Sequence, residues 1–290
     1  MLLLIDRINR SVSAARDYKV ERIEWIEDIG ITRLEVKAPF MPQSEAGQYF
    51  FLNIPEISST EWHPLSVNRT PTGAIAFYVK NMETEVPAHS ESFSTATLAN
   101  KVFGVRRHWT ALLGQLAYVC QQLKVDPYVR LMGPFGHIPY KDHEHLLLFA
   151  GGIGITPMVS VFETLYHAAR HNDNEKIGLN KTCVLVWVAR TPQLFHLFDY
   201  LWQEVAKNDM NGRFQALLYC SRSNMRSTGT DPWESSLIRY EPLNIEKAFN
   251  ELRGKGDVLA AVCGPDRLMQ SVSVYAEWYH CSFHSETFYF

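Results

Sequence analysis

The sequence predicts two successive domains, an antiparallel β-barrel followed by an α/β domain built on a parallel sheet. Short β-rich segments separated by Pro and Gly fill the first part of the chain, as in small barrels. From His145 onward, apolar strands alternate with helical segments, which indicates a parallel sheet flanked by helices. The 290 residues suffice for two cores. We expect an N-terminal helix or membrane-domain stub at 1–17, the barrel domain at 18–136 and the α/β domain at 137–290.

Apolar patterning gives the expected elements of the barrel domain. A helix is expected at 109–123, where apolar residues recur with helical spacing. A polar insertion is expected at 81–104, and Gly133-Pro134-Phe135-Gly136 should end the last strand. The expected strands are 20–26, 31–36, 47–54, 74–80 and 128–132, with a turn at 70–73.

The α/β domain is predicted from apolar runs of strand length that alternate with longer amphipathic segments. The expected strands are 146–150, 183–189, 214–219, 257–263 and a closing strand at 282–290. The expected helices are 158–171, 193–208, 245–252 and 265–278.

Composition excludes several classes of protein. A net charge of −3 gives no general case for nucleic-acid binding. Five widely spaced cysteines without metal-ligand spacing favour reduced thiols in a cytosolic setting, and we expect no bound metal. No apolar run reaches the length of a membrane span. The apolar residues 1–5 either begin an amphipathic helix or are the remnant of a membrane helix.

One glycine turn lies between an apolar strand and a helix start. It contains Gly151, Gly152 and Gly154, followed by Thr156 and Pro157. Glycines let backbone N–H groups approach an anion, and the helix N-terminus attracts negative charge. The spacing G-x-G-x-x-P differs from the usual dinucleotide fingerprint G-x-G-x-x-G. Alone, the turn is equally consistent with a tight strand-to-helix connection.

Further motifs accompany this turn, namely His63-Pro64-Leu65-Ser66, Gly133-Pro134-Phe135-Gly136, Cys263-Gly264-Pro265 and an aromatic C-terminus. In this order they resemble the ferredoxin–NADP reductase superfamily over residues 18–290. The resemblance is greatest to the FAD- and NADPH-binding dehydrogenase domain of NADPH oxidases and ferric (metallo)reductases.

The resemblance implies an FAD site in the barrel domain. Ser66 would hydrogen-bond near flavin N5, and His63 would face the phosphate or ribityl side. Leu65 stands where the family has an aromatic residue, and Arg107 replaces the glycine of the family's Gly-x-Trp-Thr. Lys80 could also be an exposed strand residue, and Trp109 a packed one. The expected FAD residues are His63, Pro64, Leu65, Ser66, Val67, Asn68, Lys80, Trp109, Thr110, Phe288 and Phe290.

The resemblance also implies an NADPH site. Cys263 would position hydride transfer rather than act as a nucleophile; a buried structural thiol is the alternative. Arginines would bind the 2′-phosphate, where an NAD site would carry an acidic residue. Each arginine alone could be a solvated loop residue. The expected NADPH residues are Gly151, Gly152, Gly154, Thr156, Pro157, Arg190, Ser221, Arg222, Arg226, Cys263, Gly264 and Pro265.

At the C-terminus, Glu286-Thr287-Phe288 resembles the family's terminal Glu-x-aromatic, whose ring covers the flavin. Phe288 is the first choice for this ring and Phe290 the second; both could instead be core residues. Ser66, Cys263 and Phe288 form the expected catalytic set.

The expected function is electron transfer from NADPH through FAD to a one-electron acceptor. The resemblance implies haem in a fused membrane domain, with superoxide or reduced iron as product and a place at the cytosolic face of a membrane. The first alternative is a soluble cytoplasmic reductase of a small redox protein. The second is a flavin-binding regulatory module without turnover.

Overall fold

The computed structural model describes residues 16–37, 44–70, 72–82, 108–170, 181–208, 210–222 and 231–287. These residues form two compact units. The first unit contains the described parts of Met1–Ser44 and Tyr49–Phe135, and the second those of Glu45–Gln48 and Gly136–Tyr289. The expected N-terminal helix, nearly all of the insertion 81–104, and Phe288 and Phe290 lie outside the described residues.

The first unit is one antiparallel sheet with a helix, as predicted. Its strands follow the spatial order β4-β3-β7-β1-β2-β6-β5. Strands β4 and β6 belong to different ends of this order, yet Leu65 and Phe77 share one hydrophobic core. The elements are β1 (Asp17–Ile26), β2 (Ile31–Val36), β3 (Tyr49–Asn53), β4 (His63–Ser66), β5 (Asn68–Arg69), β6 (Ile75–Lys80), α1 (Trp109–Leu123) and β7 (Tyr128–Phe135).

Two expectations about this unit were wrong. Strand β7 does not end at residue 132 but continues to Phe135, which pairs with Tyr49 of β3. Gly133 permits this continuation because a Cβ there would lie 2.6 Å from the Phe50 ring. The motif His63-Pro64-Leu65-Ser66, expected to follow a strand, is itself strand β4.

The second unit has the expected parallel sheet, in the order β11-β10-β9-β8-β12-β13. Its strands are β8 (His145–Gly151), β9 (Thr182–Ala189), β10 (Phe214–Cys220), β11 (Ile238–Arg239), β12 (Val258–Cys263) and β13 (Ser282–Glu286). Its helices are α2 (Ile155–Arg170), α3 (Asp199–Lys207), α4 (Pro232–Leu237), α5 (Ile245–Asn250) and α6 (Asp266–Trp278).

The strand order determines where a ligand can bind in this unit. From β8 the chain adds β9, β10 and β11 on one side, and then returns to add β12 and β13 on the other. The neighbouring strands β8 and β12 therefore flank the switch point of the sheet, and in sheets of this type ligands bind in the crevice at the carboxyl ends of the two strands beside the switch point. Gly151 ends β8 and Cys263 ends β12, so two of the predicted motifs meet at this crevice.

Several predicted elements differ locally from those in the structure. The closing strand expected at 282–290 ends at Glu286, and residues 288–290 lie outside the described residues. The single helix expected at 193–208 is a 3₁₀ helix, Pro192–Phe198, followed by α3. Helix α2, expected from residue 158, begins at Ile155, so it starts directly at the glycine turn. Strand β11 and helix α4 were not predicted. Among the described residues, no helix is both long and apolar enough to cross a membrane.

Candidate functional site

Strands β4 and β5 of the first unit carry buried polar atoms that lack hydrogen-bond partners among the described residues. They are Nε2 of His63, Oγ of Ser66, and both Oδ1 and Nδ2 of Asn68. Buried polar groups in folded proteins are normally paired, and each unpaired group costs about 1–3 kcal/mol. Such atoms within six consecutive residues fit a polar ligand that supplies the missing partners. The isoalloxazine and ribityl groups of FAD have donors and acceptors of this kind.

The structure joins His63 to the start of helix α1. The imidazole of His63 stacks on the indole of Trp109, with ring centroids 4.0 Å apart. The next residue, Thr110, accepts a hydrogen bond at its Oγ1 from the backbone N–H of Met82, 3.2 Å away. Met82 follows strand β6 and its final residue, Lys80. The predicted FAD residues of β4, the end of β6 and α1 are thus brought together.

Burial lowers the pKa of His63 below its ordinary value, and this effect exceeds the opposing charge of Glu61. The imidazole is therefore neutral at pH 7, with one ring nitrogen as a donor and the other as an acceptor.

The side chain of Leu65, expected to contact the flavin, is instead buried in the hydrophobic core. Leu65 pairs with Phe50 across β3 and lies with it in the hydrophobic core. Val67 also lies in this core. Residues that pair across antiparallel strands share a face of the sheet, so Leu65 points inward with Phe50. These two positions contribute packing, and only their backbone groups are left to contact a ligand.

The face opposite the core carries an aromatic set that the sequence interpretation missed. Ser66 pairs with Tyr49, and Pro64 pairs with Phe51. The rings of Tyr49, Phe51 and Phe135 lie 5.6–5.9 Å apart between centroids. The period-two spacing of the aromatic residues Tyr49 and Phe51 could have revealed this face, since every second residue of a strand points the same way.

In the second unit, the glycine turn packs directly against the loop that follows β12. A Cβ on Gly151 would lie 2.5 Å from Cδ of Pro265, and one on Gly154 would lie 2.7 Å from the carbonyl carbon of Cys263. Both distances are shorter than real Cβ contacts. These glycines are therefore required by loop-to-loop contact, and not only by the approach of an anion. Gly264 lies in the same contact, since its own Cβ would lie 2.9 Å from the backbone nitrogen of Gly151.

The turn itself fits a pyrophosphate. Gly152 has a φ of +57°, and nothing lies within 4 Å of the position where its Cβ would be. Its carbonyl oxygen accepts a hydrogen bond of 2.8 Å from Nε1 of the buried Trp187, a contact that the sequence did not predict. Thr156 donates its hydroxyl to the carbonyl of Ile153 at 3.2 Å. Backbone N–H groups at the start of a helix bind anions, and Pro157 lies in the first turn, where a missing N–H costs nothing.

Cys263 lies beside Glu286 in the register of β12 and β13. Burial, together with the charge of Glu286, raises the pKa of Cys263 to about 12. The thiol is protonated near neutral pH, which agrees with a positioning role and argues against a nucleophilic one. Glu286 in turn pairs through Oε1 with Nε2 of His284 at 2.8 Å.

The predicted 2′-phosphate residues meet at the carboxyl ends of β9 and β10. The backbone N–H of Ser221 donates to the carbonyl of Ala189 at 2.8 Å. The thiol of Cys220 lies 3.6 Å from the carbonyl oxygens of both Arg190 and Arg222. Both arginines are exposed. Arg226 lies outside the described residues.

Comparison with protein-family models supports this division of cofactors between the units. Residues 20–138 match a model described as an FAD-binding domain, and residues 143–241 match the ferric reductase NAD binding domain. The chain thus joins an FAD-binding domain to a ferric reductase-type NAD binding domain, and the predicted resemblance to ferric reductases and NADPH oxidases is confirmed. The expected two-domain fold is confirmed, as are its cofactors, FAD and a nicotinamide dinucleotide, NAD(P)H.

Curated relatives include NADPH oxidase 1 of Mus musculus, which is 27% identical over 72% of the chain and 30% of its own length. Respiratory burst oxidase homolog protein D of Solanum tuberosum is 26% identical over 72% of the chain and 25% of its own length. Ferric reduction oxidase 8 of Arabidopsis thaliana is 23% identical over 70% of the chain and 25% of its own length. The chain thus spans less than a third of the length of these relatives.

Solved structures with the same fold include the cytochrome b5 reductase domain of Ulva prolifera nitrate reductase. Its TM-score is 0.60 at 14% identity, with 93% of this chain and 97% of that chain covered. A ferredoxin NADP+ reductase from Neisseria gonorrhoeae with bound FAD and NADP has a TM-score of 0.57 at 12% identity, with 93% and 98% covered.

Proposed function

We propose that this chain is a flavin-dependent oxidoreductase that takes electrons from NADPH and delivers them singly to an acceptor. The observation that carries the proposal is the contact between the glycine turn and the Cys263 loop at the carboxyl ends of β8 and β12. A crevice of this kind, beside a neutral thiol, suits a nicotinamide dinucleotide. The unpaired polar atoms of β4 and β5 supply the separate flavin site.

Bound FAD supplies the chemistry, since a flavin accepts two electrons as a hydride and releases them one at a time. The residues of this chain bind and orient. The Ser66 hydroxyl donates or accepts a hydrogen bond at the flavin, and neutral His63 presents its Nε2 to the same cofactor. The N–H groups at the start of α2 hold the pyrophosphate of NADPH, and Thr156 lies in that turn.

Two further residues set the geometry and the specificity of the NADPH site. Cys263 stays protonated and contributes a small apolar surface beside the nicotinamide, where a charged group would perturb the transfer. Arg190 and Arg222 bind the 2′-phosphate, because a guanidinium pairs with phosphate oxygens in two parallel hydrogen bonds. Ser221 adds a hydroxyl at the same strand ends.

We further propose that the acceptor is haem in a membrane domain, with oxygen or a ferric chelate as the final substrate. This rests on similarity to NADPH oxidases and to a ferric reduction oxidase, all several times longer than the matched region. The chain would then act at the cytosolic face of that membrane. A soluble reductase of a small redox protein is the second candidate, since the neighbouring folds include a ferredoxin NADP+ reductase. A spectrum of the complete native protein separates the two, because haem bands beside those of flavin require the first.

Anaerobic stopped-flow mixing with NADPH tests the core of the proposal. The FAD-loaded chain should lose its flavin absorbance within one turnover, and Ser66→Ala should slow this loss. Ser58→Ala is the matched control, because Ser58 belongs to the same unit but lies outside the group of unpaired polar atoms. Flavin that stays oxidised in the presence of NADPH would contradict the proposal and support a regulatory module without turnover.

A further inference from the structure

A second cluster of titratable side chains lies in the same unit, in segments that none of the predicted motifs includes. His196 is in the 3₁₀ helix after β9, Asp199 is the first residue of α3, and Asp231 directly precedes α4. One potential ligand atom from each of the three lies within 4.8 Å of the others. The closest pair is Nδ1 of His196 and Oδ1 of Asp199, at 2.9 Å.

A buried carboxylate faces this cluster from α4. The side chain of Glu234 is only 7% exposed, and its Oε1 lies 4.0 Å from Nε2 of His196. Neither of its carboxylate oxygens has a hydrogen-bond partner in the part of the chain that the structure describes. A buried carboxylate without a partner is costly, so its position beside the imidazole calls for a compensating group.

The cluster has an excess of negative charge. Asp199 and Glu234 lie on the two sides of the His196 imidazole, and Asp231 lies with Asp199 and His196 in the same cluster. Among the described residues, Asp199 and Glu234 form their ion pairs with His196, and no lysine or arginine pairs with Asp199, Asp231 or Glu234. One imidazole thus faces three carboxylates, and a cation would relieve the repulsion.

We propose that His196, Asp199 and Asp231 bind a divalent transition-metal ion of the zinc class, and that Glu234 orients the imidazole. Zinc binds His nitrogen and carboxylate oxygen at about 2.0–2.2 Å, usually with four ligands. Ligand atoms of a tetrahedral site are therefore roughly 3.3–3.6 Å apart. In this cluster the closest two ligand atoms are 2.9 Å apart and all three lie within 4.8 Å of one another, which is compatible with that range.

The two sides of the imidazole have different tasks in this site. Nδ1 faces Asp199 and provides the metal ligand, while Nε2 faces Glu234. A metal-binding histidine almost always donates its second ring N–H to a carboxylate or carbonyl, which fixes its tautomer and raises its basicity. Glu234 is placed to accept that N–H. Three protein ligands leave the fourth position for water.

No metal motif is visible in the sequence, because the three ligands and Glu234 come from two distant segments that contribute two residues each. His196 and Asp199 are three residues apart, as are Asp231 and Glu234. Neither pair is a recognised metal motif, and the strands β9 and β10 bring the segments together. The proposal therefore replaces the expectation of a chain without a metal site.

Equilibrium dialysis of the complete chain against Zn²⁺, after treatment with a chelator, tests the site. We expect one ion per chain, with about 100-fold weaker binding in Asp231→Asn and His196→Gln, and about 10–100-fold weaker binding in Glu234→Gln. His143→Gln is the matched control: His143 pairs with Asp257 through Nδ1 and Oδ1 at 2.7 Å, outside the cluster. Its binding should equal that of the unaltered chain.

Cobalt in place of zinc identifies the ligands. A tetrahedral site made of nitrogen and oxygen ligands gives visible bands without a thiolate charge-transfer band, whereas a cysteine site gives both. The absence of stoichiometric binding would overturn the proposal, as would a thiolate band or undiminished binding in Asp231→Asn. Circular dichroism identifies any variant that fails to fold, and Asp231→Asn, outside the core, decides the matter if Glu234→Gln does not fold. Neither measurement needs FAD or NADPH, so the result is independent of the proposed function.

Discussion

The imidazole of His63 stacks on the indole of Trp109 at a centroid distance of 4.0 Å. This contact connects strand β4, which carries Ser66, to the first turn of helix α1, 46 residues later in the chain. A change in the charge of His63 would therefore act on both elements of the FAD site.

This relationship predicts how stability depends on pH. Burial lowers the pKa of His63 in the folded chain. As the pH falls through about 6.5, His63 therefore binds a proton in the unfolded chain while it stays neutral in the folded chain. The contribution of neutral His63 to the free energy of unfolding is thus complete above about pH 6.5 and is lost as the pH falls below it. His63→Gln should flatten the acid side of the stability curve measured by urea unfolding between about pH 5 and pH 8.

His167 is the control with the opposite sign. Its hydrogen bond to Glu163 raises its pKa, so its contribution is present below about pH 6.5 and is lost as the pH rises. His167→Gln should therefore lower stability mainly on the acid side. An acid slope that stays the same in His63→Gln would show that the imidazole is protonated without cost in the folded chain.

Removal of the Ser66 hydroxyl should have opposite effects on the empty fold and on cofactor binding. Without FAD, Ser66→Ala should raise the free energy of unfolding by about 1 kcal/mol, since a buried oxygen without a partner is removed. With FAD, loss of the hydrogen bond should weaken affinity about 5- to 10-fold. Urea unfolding and a flavin fluorescence titration measure the two effects. FAD affinity equal to that of the unaltered chain would remove Ser66 from the site.

Arg222→Glu should shift cofactor preference from NADPH towards NADH. Loss of a charge-assisted hydrogen bond to the 2′-phosphate, about 1.5–3 kcal/mol, predicts a 10- to 100-fold fall in the NADPH/NADH ratio of kcat/KM. Arg253→Glu is the control. It makes the same change in charge before the start of β12, on the side of the sheet where the strands begin, and should leave the NADPH/NADH ratio of kcat/KM unchanged. An unaltered ratio in Arg222→Glu would show that another group recognises the phosphate.

Gly154→Ala should damage the fold and the NADPH site together. The added methyl group would overlap the Cys263 backbone, which predicts a loss of about 1–3 kcal/mol in the free energy of unfolding. Gly256→Ala is the control, because nothing lies within 4 Å of its Cβ position. It should change stability by less than about 1 kcal/mol. Thermal unfolding and an NADPH titration measure both variants, and equal stability would mean that the two loops separate easily.

Strands β8, β9, β10 and β12 of the second unit could be predicted to within one residue at each end, because a fully buried parallel strand is a continuous apolar run. The closing strand expected at 282–290 ends earlier, at Glu286. Strand β9, expected at 183–189, is Thr182–Ala189. Strands β4 and β11 were not predicted, because four and two residues are too few to show a period. The division of 193–208 into a 3₁₀ and an α-helix was also missed, since apolar residues every three or four positions suit both.

The site residues divide in a similar way. Residue types and order predicted the meeting of Arg190, Ser221 and Arg222, because the carboxyl ends of parallel strands lie at one edge of a sheet. The face to which Leu65 points could not be predicted, since it depends on the register of β4 against Phe50 in β3. The hydrogen bond from Trp187 to the carbonyl of Gly152 could not be predicted for a different reason: a tryptophan in an apolar strand looks like any other core residue.

The glycine turn after β8 and the loop after β12 fit closely against each other, although more than a hundred residues separate them in the chain. The two loops are sterically complementary, because Gly151 leaves room for Pro265 and Gly154 leaves room for the Cys263 carbonyl. Neither segment can be exchanged alone between related reductases without a collision or a void. Chimeras that alter nucleotide preference should therefore transplant both loops as a pair.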